Sequence, residues 1–350
     1  MKAQRFVLGT ALVGMLFLSA CSSAGEGGQS DGGGSETSPT PVNFVLNYTP
    51  GPQHEEFVVA VNDGFYEDAG LDVTMTSPAA TTDPIKLVAG GSADIGVGYA
   101  GDVVAAAAEG VPITAVATIH RRIALGLLSK PGSGIETPQD LIGKTVGLTA
   151  IPQNNAMFNE LLAANDIDPS EVNVVPVGFN GPQLVASGEI DAADAVSWYE
   201  NGVYEQLTGD VPTYLEFTDF GVPDGYFMTL ITSNRYLAEN PETVQKFVEA
   251  TLKAEKWTIE NPEEAQSILL ENVEDVTPEF AVNSRRILNT VIVDDVSQKQ
   301  GLGWSDPDVW QQQADFYLKS GQITKAVDTS AIFTNDYLPA KAITVDVPTE

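Results

Sequence analysis

The sequence predicts an α/β protein of two lobes, one assembled from both ends of the chain, with a ligand cleft between them. Three observations carry this. From about residue 42 onward, short β-type runs alternate with segments of helical spacing, the pattern of parallel βαβ units. Two further apolar runs, from Ala124 to Ser129 and from Met228 to Ser233, bracket a second set of such alternations. The length of 350 residues suits about two domains with cores of their own.

The elements follow in order. Val42 to Tyr48 alternates as a strand and stops at the turn signal Thr49-Pro50-Gly51-Pro52. Phe57, Val58, Val61, Phe65 and Tyr66 recur at helical spacing, ending near Gly70. Strands at Leu71 to Met75, Ala93 to Val97 and Ile113 to Ala117, with a helix from Asp102 to Glu109, complete this half. The second set holds strands at Thr145 to Thr149, Val172 to Val177 and Ile190 to Ala193. Its helices run from Asn155 to Asn165, from Gln183 to Gly188 and after Trp198. The tail is mostly helical, with starts expected at Asn240-Pro241-Glu242 and Asn261-Pro262-Glu263. The two bracketing runs read as strands crossing between the lobes. The expected lobes are 42–127 with 231–345, and 128–230. Ligands collect at the carboxyl ends of strands in such sheets, so the site belongs in the cleft, with hinge closure.

The N-terminus sets the compartment. Lys2 and Arg5 precede a mainly apolar run from Phe6 to Leu18, and then comes Leu18-Ser19-Ala20-Cys21. That is the layout of a secretory signal over 1–20, and the run is short of the roughly 20 residues a spanning helix needs. The ending resembles a bacterial lipobox, which makes Cys21, the chain's one cysteine, the lipidated N-terminus of the exported form. Residues 21–41 then read as a Gly/Ser-rich tether. The expected form is a monomer anchored through lipid, facing outside the cytoplasm.

Composition excludes several classes. With 17 Lys+Arg against 48 Asp+Glu the formal charge is −31, and removing Lys2 and Arg5 takes it to −33. Such an acid excess opposes nucleic-acid binding, which depends on cationic side chains. One cysteine and two histidines leave no internal disulfide and few soft ligands for structural zinc. No cofactor motif appears: Gly96-Val97-Gly98-Tyr99-Ala100-Gly101-Asp102 lacks the dinucleotide spacing, and no phosphate loop, hydrolase elbow or zinc-protease helix is present.

Candidate binding residues sit at strand ends. Tyr48 and His54 flank the first turn: either both face the cleft, or Tyr48 packs and His54 is a solvated first-turn residue. Tyr99 is placed to stack on a ring, and Asp102 either caps its helix or touches the ligand. Asn154, in Ile151-Pro152-Gln153-Asn154-Asn155, holds the equivalent place in the second lobe. Trp198, Tyr199 and Glu200 cluster after a strand, where an aromatic face and an acceptor would hold a flat amine-bearing ring; the alternative is a core Trp with a surface Glu. Tyr226, in Gly221-Val222-Pro223-Asp224-Gly225-Tyr226-Phe227, precedes the return strand and could close over the ligand. Arg121 and Arg122 either hold an anion or lie exposed beside a crossover.

The chain resembles the periplasmic-binding-protein branch named for fungal thiamine-pyrimidine synthesis. The resemblance rests on Asn47-Tyr48-Thr49-Pro50 with His54, Asn62-Asp63-Gly64-Phe65-Tyr66, Ala93-Asp94-Ile95-Gly96, Tyr199-Glu200, Gly221-Val222-Pro223 and Phe333-Thr334-Asn335-Asp336. Within that branch it is most similar to lipoproteins that deliver thiamine pyrimidine precursors, such as formylaminopyrimidine or hydroxymethylpyrimidine, to an ABC permease and its ATPase. The resemblance implies a type II periplasmic-binding-protein fold. It also implies a site lined by Tyr48, Tyr99, Trp198, Tyr199 and Glu200, with Glu200 accepting from an exocyclic amine. Tyr48 and Gly51 depart from the branch's usual turn residues. The cysteine-rich motif of its enzymes is absent, so a binding protein and not an enzyme is expected. Alternatives on the same fold are riboflavin or an anion such as a sulfonate or nitrate, and less readily a pyrimidine synthase.

Overall fold

Ten strands and thirteen helices make up residues 38–80, 83–274 and 276–345, the residues described by a computed structural model. The leader, Cys21 and the tether up to residue 37 lie outside them. The strands are β1 (Thr40–Val45), β2 (Leu71–Thr76), β3 (Ile95–Tyr99), β4 (Ile113–Thr118), β5 (Leu125–Ser129), β6 (Thr145–Leu148), β7 (Asn173–Pro176), β8 (Ala192–Val196), β9 (Thr213–Glu216) and β10 (Met228–Ser233). The helices begin with α1 (Glu55–Asn62), α2 (Phe65–Asp68), α3 (Asp83–Gly90), α4 (Ala100–Ala108), α5 (Pro152–Ala164), α6 (Gly181–Ser187) and α7 (Glu200–Thr208). The tail adds α8 (Asn234–Glu239), α9 (Pro241–Glu260), α10 (Pro262–Asn272), α11 (Pro278–Ile292), α12 (Asp295–Gln300) and α13 (Pro307–Lys319).

Two sheets result, ordered β2-β1-β3-β10-β4 and β7-β6-β8-β5-β9. This is the two-lobed α/β architecture expected from the alternation, with the first lobe built from both chain ends. Strands β4, β5 and β10 are buried along their whole length, so they read as continuous apolar runs without alternation. The tail helices start where Pro follows Asn, at Pro241 and Pro262. There the missing N–H costs nothing and the fixed φ suits the first turn. In the first lobe Phe44 packs on Phe57 and Phe247, at ring separations of 5.1 and 5.0 Å, and Tyr66 stacks on Phe247 at 4.7 Å. This places α1, α2 and α9 against one face of the sheet.

Four details differ from expectation. Each sheet carries one antiparallel strand: β10 runs against β3 and β4, and β5 against β8 and β9. Each is the first strand after a passage between lobes, so the chain enters each sheet in reverse. The passages themselves are 119–124, which is irregular, and 217–227, which opens with a short 3-10 turn over Phe217–Phe220; the strands expected to cross each pair within a single sheet. The edge strand β9 carries no periodic signal. Thr40 and Pro41, read as tether, belong to β1, where Thr40 N–H donates to Gly70 C=O at 2.9 Å.

The two passages are tied to each other by their backbones. Phe227 N–H donates to His120 C=O at 3.0 Å, and Ile119 and His120 N–H groups donate to Met228 C=O at 2.8 and 3.0 Å. On either side of this ladder the lobes touch. Tyr317 Oη on α13 donates to Gln153 Oε1 on α5 at 2.7 Å, and Lys319 Nζ pairs with Glu160 at 2.6 Å. On the other flank, Asn283 of α11 donates to Glu205 of α7 at 2.7 Å. Gly101 makes one of these approaches possible, because a Cβ there would collide with the Tyr317 hydroxyl.

Candidate functional site

Rings from both lobes and both passages converge at the carboxyl ends of β3 and β8. Tyr99 ends β3 and sits 4.9 Å from Phe227. Trp198 and Tyr199 follow β8. Trp198 lies edge-on to Phe227 at 6.1 Å and to His120 at 5.8 Å, while His120 lies parallel to Phe227 at 6.2 Å. Tyr199 meets Phe280 of α11 edge-on at 5.4 Å. Such tilted and edge contacts are the favoured arrangement for rings with a quadrupole. Trp198 therefore faces the cluster as a buried residue, and its indole Nε1 has no hydrogen-bond partner among the described residues.

Glu200 opens α7, and its Oε2 accepts from Val196 N–H at 2.8 Å, so the carboxyl is folded back over the end of its own strand. Burial pushes its pKa up to about 7, with the nearby Asp194 adding to the rise. Around Tyr99, burial and the charges of Asp102 and Glu200 push the phenol well up, and the Tyr48 hydroxyl adds to this. Tyr199 is raised by burial, then by Tyr48 and Glu200. These mutual effects show that Tyr48, Tyr99, Asp102, Tyr199 and Glu200 lie near enough to feel one another's charge, with Tyr48 the exposed one. Asp102 stands in the first turn of α4, and burial lifts its pKa to about 6.

His54 is fully buried, and its Nε2 lies 2.7 Å from Asn47 Oδ1. Burial drives its pKa down to about 3, so the ring is neutral. With Asn47 Oδ1 as acceptor, Nε2 carries the proton and Nδ1 keeps a free lone pair without a partner among the described residues. Two predicted residues are placed apart from the rings. Asn154 donates to Asp194 Oδ2 at 2.8 Å, where Thr149 also donates from Oγ1 at 2.6 Å. Tyr226 packs edge-on to Trp310 at 5.6 Å, and its hydroxyl accepts from Asp306 N–H at 2.7 Å. In the extended passage, neighbours point in opposite directions, so Phe227 faces the rings and Tyr226 faces α13. That alternation was the signal available for Phe227. His120 had none beyond being one of two histidines.

Neither arginine of the first passage is free to meet an anion. Arg121 is buried, pairs with Asp294 at 2.8 Å and lies over the Tyr226 ring. Arg122 pairs with Asp224 at 3.0 Å and with Glu216. Burial, and not the surface exposure expected, is what commits Arg121.

Behind His54 lies an ionic cluster the sequence did not announce. Glu55 and Glu56 of α1, Glu255 of α9 and Arg285 of α11 are each no more than 2% exposed. The ion pair among them is Glu55 Oε2 to Arg285 Nε at 3.3 Å. Burial pushes all three carboxyls up against the opposing pull of Arg285, with Glu55 raising Glu56 further and Glu56 raising Glu255. One guanidinium faces three enclosed carboxyls, so burial favours keeping the acids in excess of it protonated. Among the described residues, no group of three or more His, Cys, Asp or Glu is arranged to hold a metal ion. No helix there is long and apolar enough to cross a membrane.

Comparison with known proteins adds four findings. A family model described as NMT1/THI5 like matches residues 51–265. The chain is 29% identical over 310 residues to a formylaminopyrimidine-binding protein of Halalkalibacterium halodurans, covering 88% of this chain and 91% of that protein. It is 28% identical over 233 residues to a 4-amino-5-hydroxymethyl-2-methylpyrimidine phosphate synthase of Legionella pneumophila, covering 65% and 72%. In structure it is similar to the periplasmic aliphatic sulphonate binding protein SsuA of Escherichia coli, with a TM-score of 0.65 and 16% identity over 86% of this chain and 99% of that one. That likeness shows the periplasmic-binding-protein fold.

Proposed function

The chain belongs to the NMT1/THI5-like family, and from that premise we propose that it is an extracytoplasmic solute-binding lipoprotein of an ABC importer, taking an aminopyrimidine such as formylaminopyrimidine or hydroxymethylpyrimidine. The observation that carries the reading is the ring cluster of Tyr99, His120, Trp198 and Phe227, drawn from both lobes and both passages, with the Glu200 carboxyl beside it. Flat rings supply stacking area, and a carboxylate in a partly enclosed site is a strong acceptor for an exocyclic amine. The gathered groups are rings, the carboxyls of Asp102 and Glu200, and neutral imidazoles. This composition suits holding a solute and carries no nucleophile with a base at its side. Commitment of Arg121 and Arg122 to internal carboxylates favours an uncharged solute over a sulfonate or nitrate. In this reading Cys21 carries the lipid, the two lobes close over the solute, and the closed form meets the permease and its ATPase.

Thermal unfolding with and without solute tests the reading. At a concentration 100 times Kd, a solute bound only by the folded protein stabilises it by about 2.7 kcal/mol. Formylaminopyrimidine or hydroxymethylpyrimidine is expected to raise Tm, while an alkanesulfonate leaves it unchanged. A rise with riboflavin alone, or with the sulfonate alone, would replace the proposed solute class.

A further inference from the structure

His120 is the least expected member of the ring cluster. It is fully buried, yet neither Nδ1 nor Nε2 has a hydrogen-bond partner among the described residues. Buried polar side chains are paired in the large majority of cases, and each exception calls for an explanation. An imidazole needed only for packing would be replaced without loss by a phenyl ring, which brings no unpaired nitrogen. Two further unpaired groups stand near it: the Trp198 indole N–H, whose ring lies 5.8 Å away, and the free lone pair of His54 Nδ1. His120 and Trp198 stand at the junction of the two lobes, and His54 lies in the turn after β1, near enough to act on His120. Burial, then His54 and Arg285, hold His120 well down in pKa, so the ring is neutral.

We infer that His120 is a solute-recognition residue of the cleft, its imidazole offering one N–H and one lone pair, beside the Trp198 N–H, to a planar uncharged solute that carries both donors and acceptors. This rests on the solute-binding reading given above and goes beyond it by naming the hydrogen-bonding face. A heteroaromatic ring with an amine next to a ring nitrogen is the chemistry such a face selects. A purely apolar ring of equal size would leave the same groups unpaired and be rejected. Phe227 and Trp198 fix the imidazole plane, so its nitrogens are held in place before the solute arrives.

The experiment compares H120F and H120N with the wild-type protein, using formylaminopyrimidine and hydroxymethylpyrimidine as probes in titration calorimetry. Thermal unfolding of each solute-free protein runs alongside. H120F keeps the ring and loses both nitrogens. It is expected to bind at least 30-fold more weakly while its solute-free Tm is unchanged or higher, because an unpaired buried polar group has been removed. H120N, which restores a donor and an acceptor, is expected to recover part of the affinity. If H120F binds within threefold of wild type, or unfolds or loses Tm, His120 is a structural residue and the inference is overturned while the solute-binding reading stands. If the wild-type protein binds neither probe, the reading itself fails and the inference falls with it.

Discussion

Replacing Arg285 with Met is the most informative single change to the ionic cluster behind the site. Its guanidinium is the positive charge paired with Glu55 at 3.3 Å, with both side chains enclosed. Without it, a third carboxyl must either stay charged in a low-dielectric interior or take a proton. Holding a proton on a carboxyl whose unfolded pKa is about 4.3 costs about 5 kcal/mol at pH 8 and about 1 kcal/mol at pH 5. The pH 8 figure lies at the upper end of the 3–5 kcal/mol typical of breaking a buried pair from one side. At about 2–4 °C per kcal/mol, Tm should fall by roughly 10 °C or more at pH 8 but only a few degrees at pH 5. Thermal scans of R285M at the two pH values read this directly. The double variant E55Q/R285M, which removes the stranded charge, should regain at least half of the loss at pH 8. Equal losses at both pH values, or no recovery in the double variant, would refute the argument that charge burial controls this cluster. The wild-type protein follows the same sign. Acids whose folded pKa is raised, here Glu56 and Glu200, contribute stability that is complete below about pH 4 and is lost as pH rises through about 7, and Glu255, raised by burial, acts in the same direction.

Three further predictions concern the cleft and its flanks. Because the free Glu200 carboxyl titrates at about 7, a solute amine that needs the carboxylate should bind about tenfold more weakly for each pH unit below 7, and E200Q should bind more weakly with no such slope in calorimetry. The double variant Y317F/K319M removes the α5–α13 contacts, each worth about 1 kcal/mol or less. Small-angle scattering should then show a larger radius of gyration without solute and a wild-type value with it; identical scattering would deny these contacts a part in closure. G101A should destabilise by about 1–3 kcal/mol, through the clash with Tyr317, and adding Y317F should relieve part of it in urea denaturation.

The lobes and most elements were legible because their signals are local. Apolar alternation marks β1 and β2, and Asn-Pro-Glu marks the starts of α9 and α10. The candidate site was legible as far as strand ends expose it: Tyr99 and Trp198, the latter followed by Tyr199 and Glu200, both lie against Phe227. What stayed hidden depends on distant partners. The ionic cluster draws on α1, α9 and α11, and a Glu-Glu pair at a helix start reads alone as a favourable first-turn feature. Strand β9 is only Thr-Tyr-Leu-Glu, too short for a period. Choosing Tyr226 over Phe227 needed the direction each side chain takes from the passage, which the opposite sheet decides.

The three backbone hydrogen bonds that tie Ile119 and His120 to Phe227 and Met228 act mechanically as an axle. Any rocking of one lobe against the other turns about them, so displacement grows with distance from this line. The rings of His120 and Phe227 sit on it and hardly move, whereas Tyr317 and Gln153 at the flank travel furthest. In the proposed reading a solute would land on this floor once the lobes part and uncover His120, which is fully buried in the structure described. Its weight on the closing equilibrium comes from its outer edge, where Tyr99, Tyr199 and Glu200 gather. In that reading, transfer to a transporter would amount to prising apart the rim while the floor keeps its hold until water replaces it.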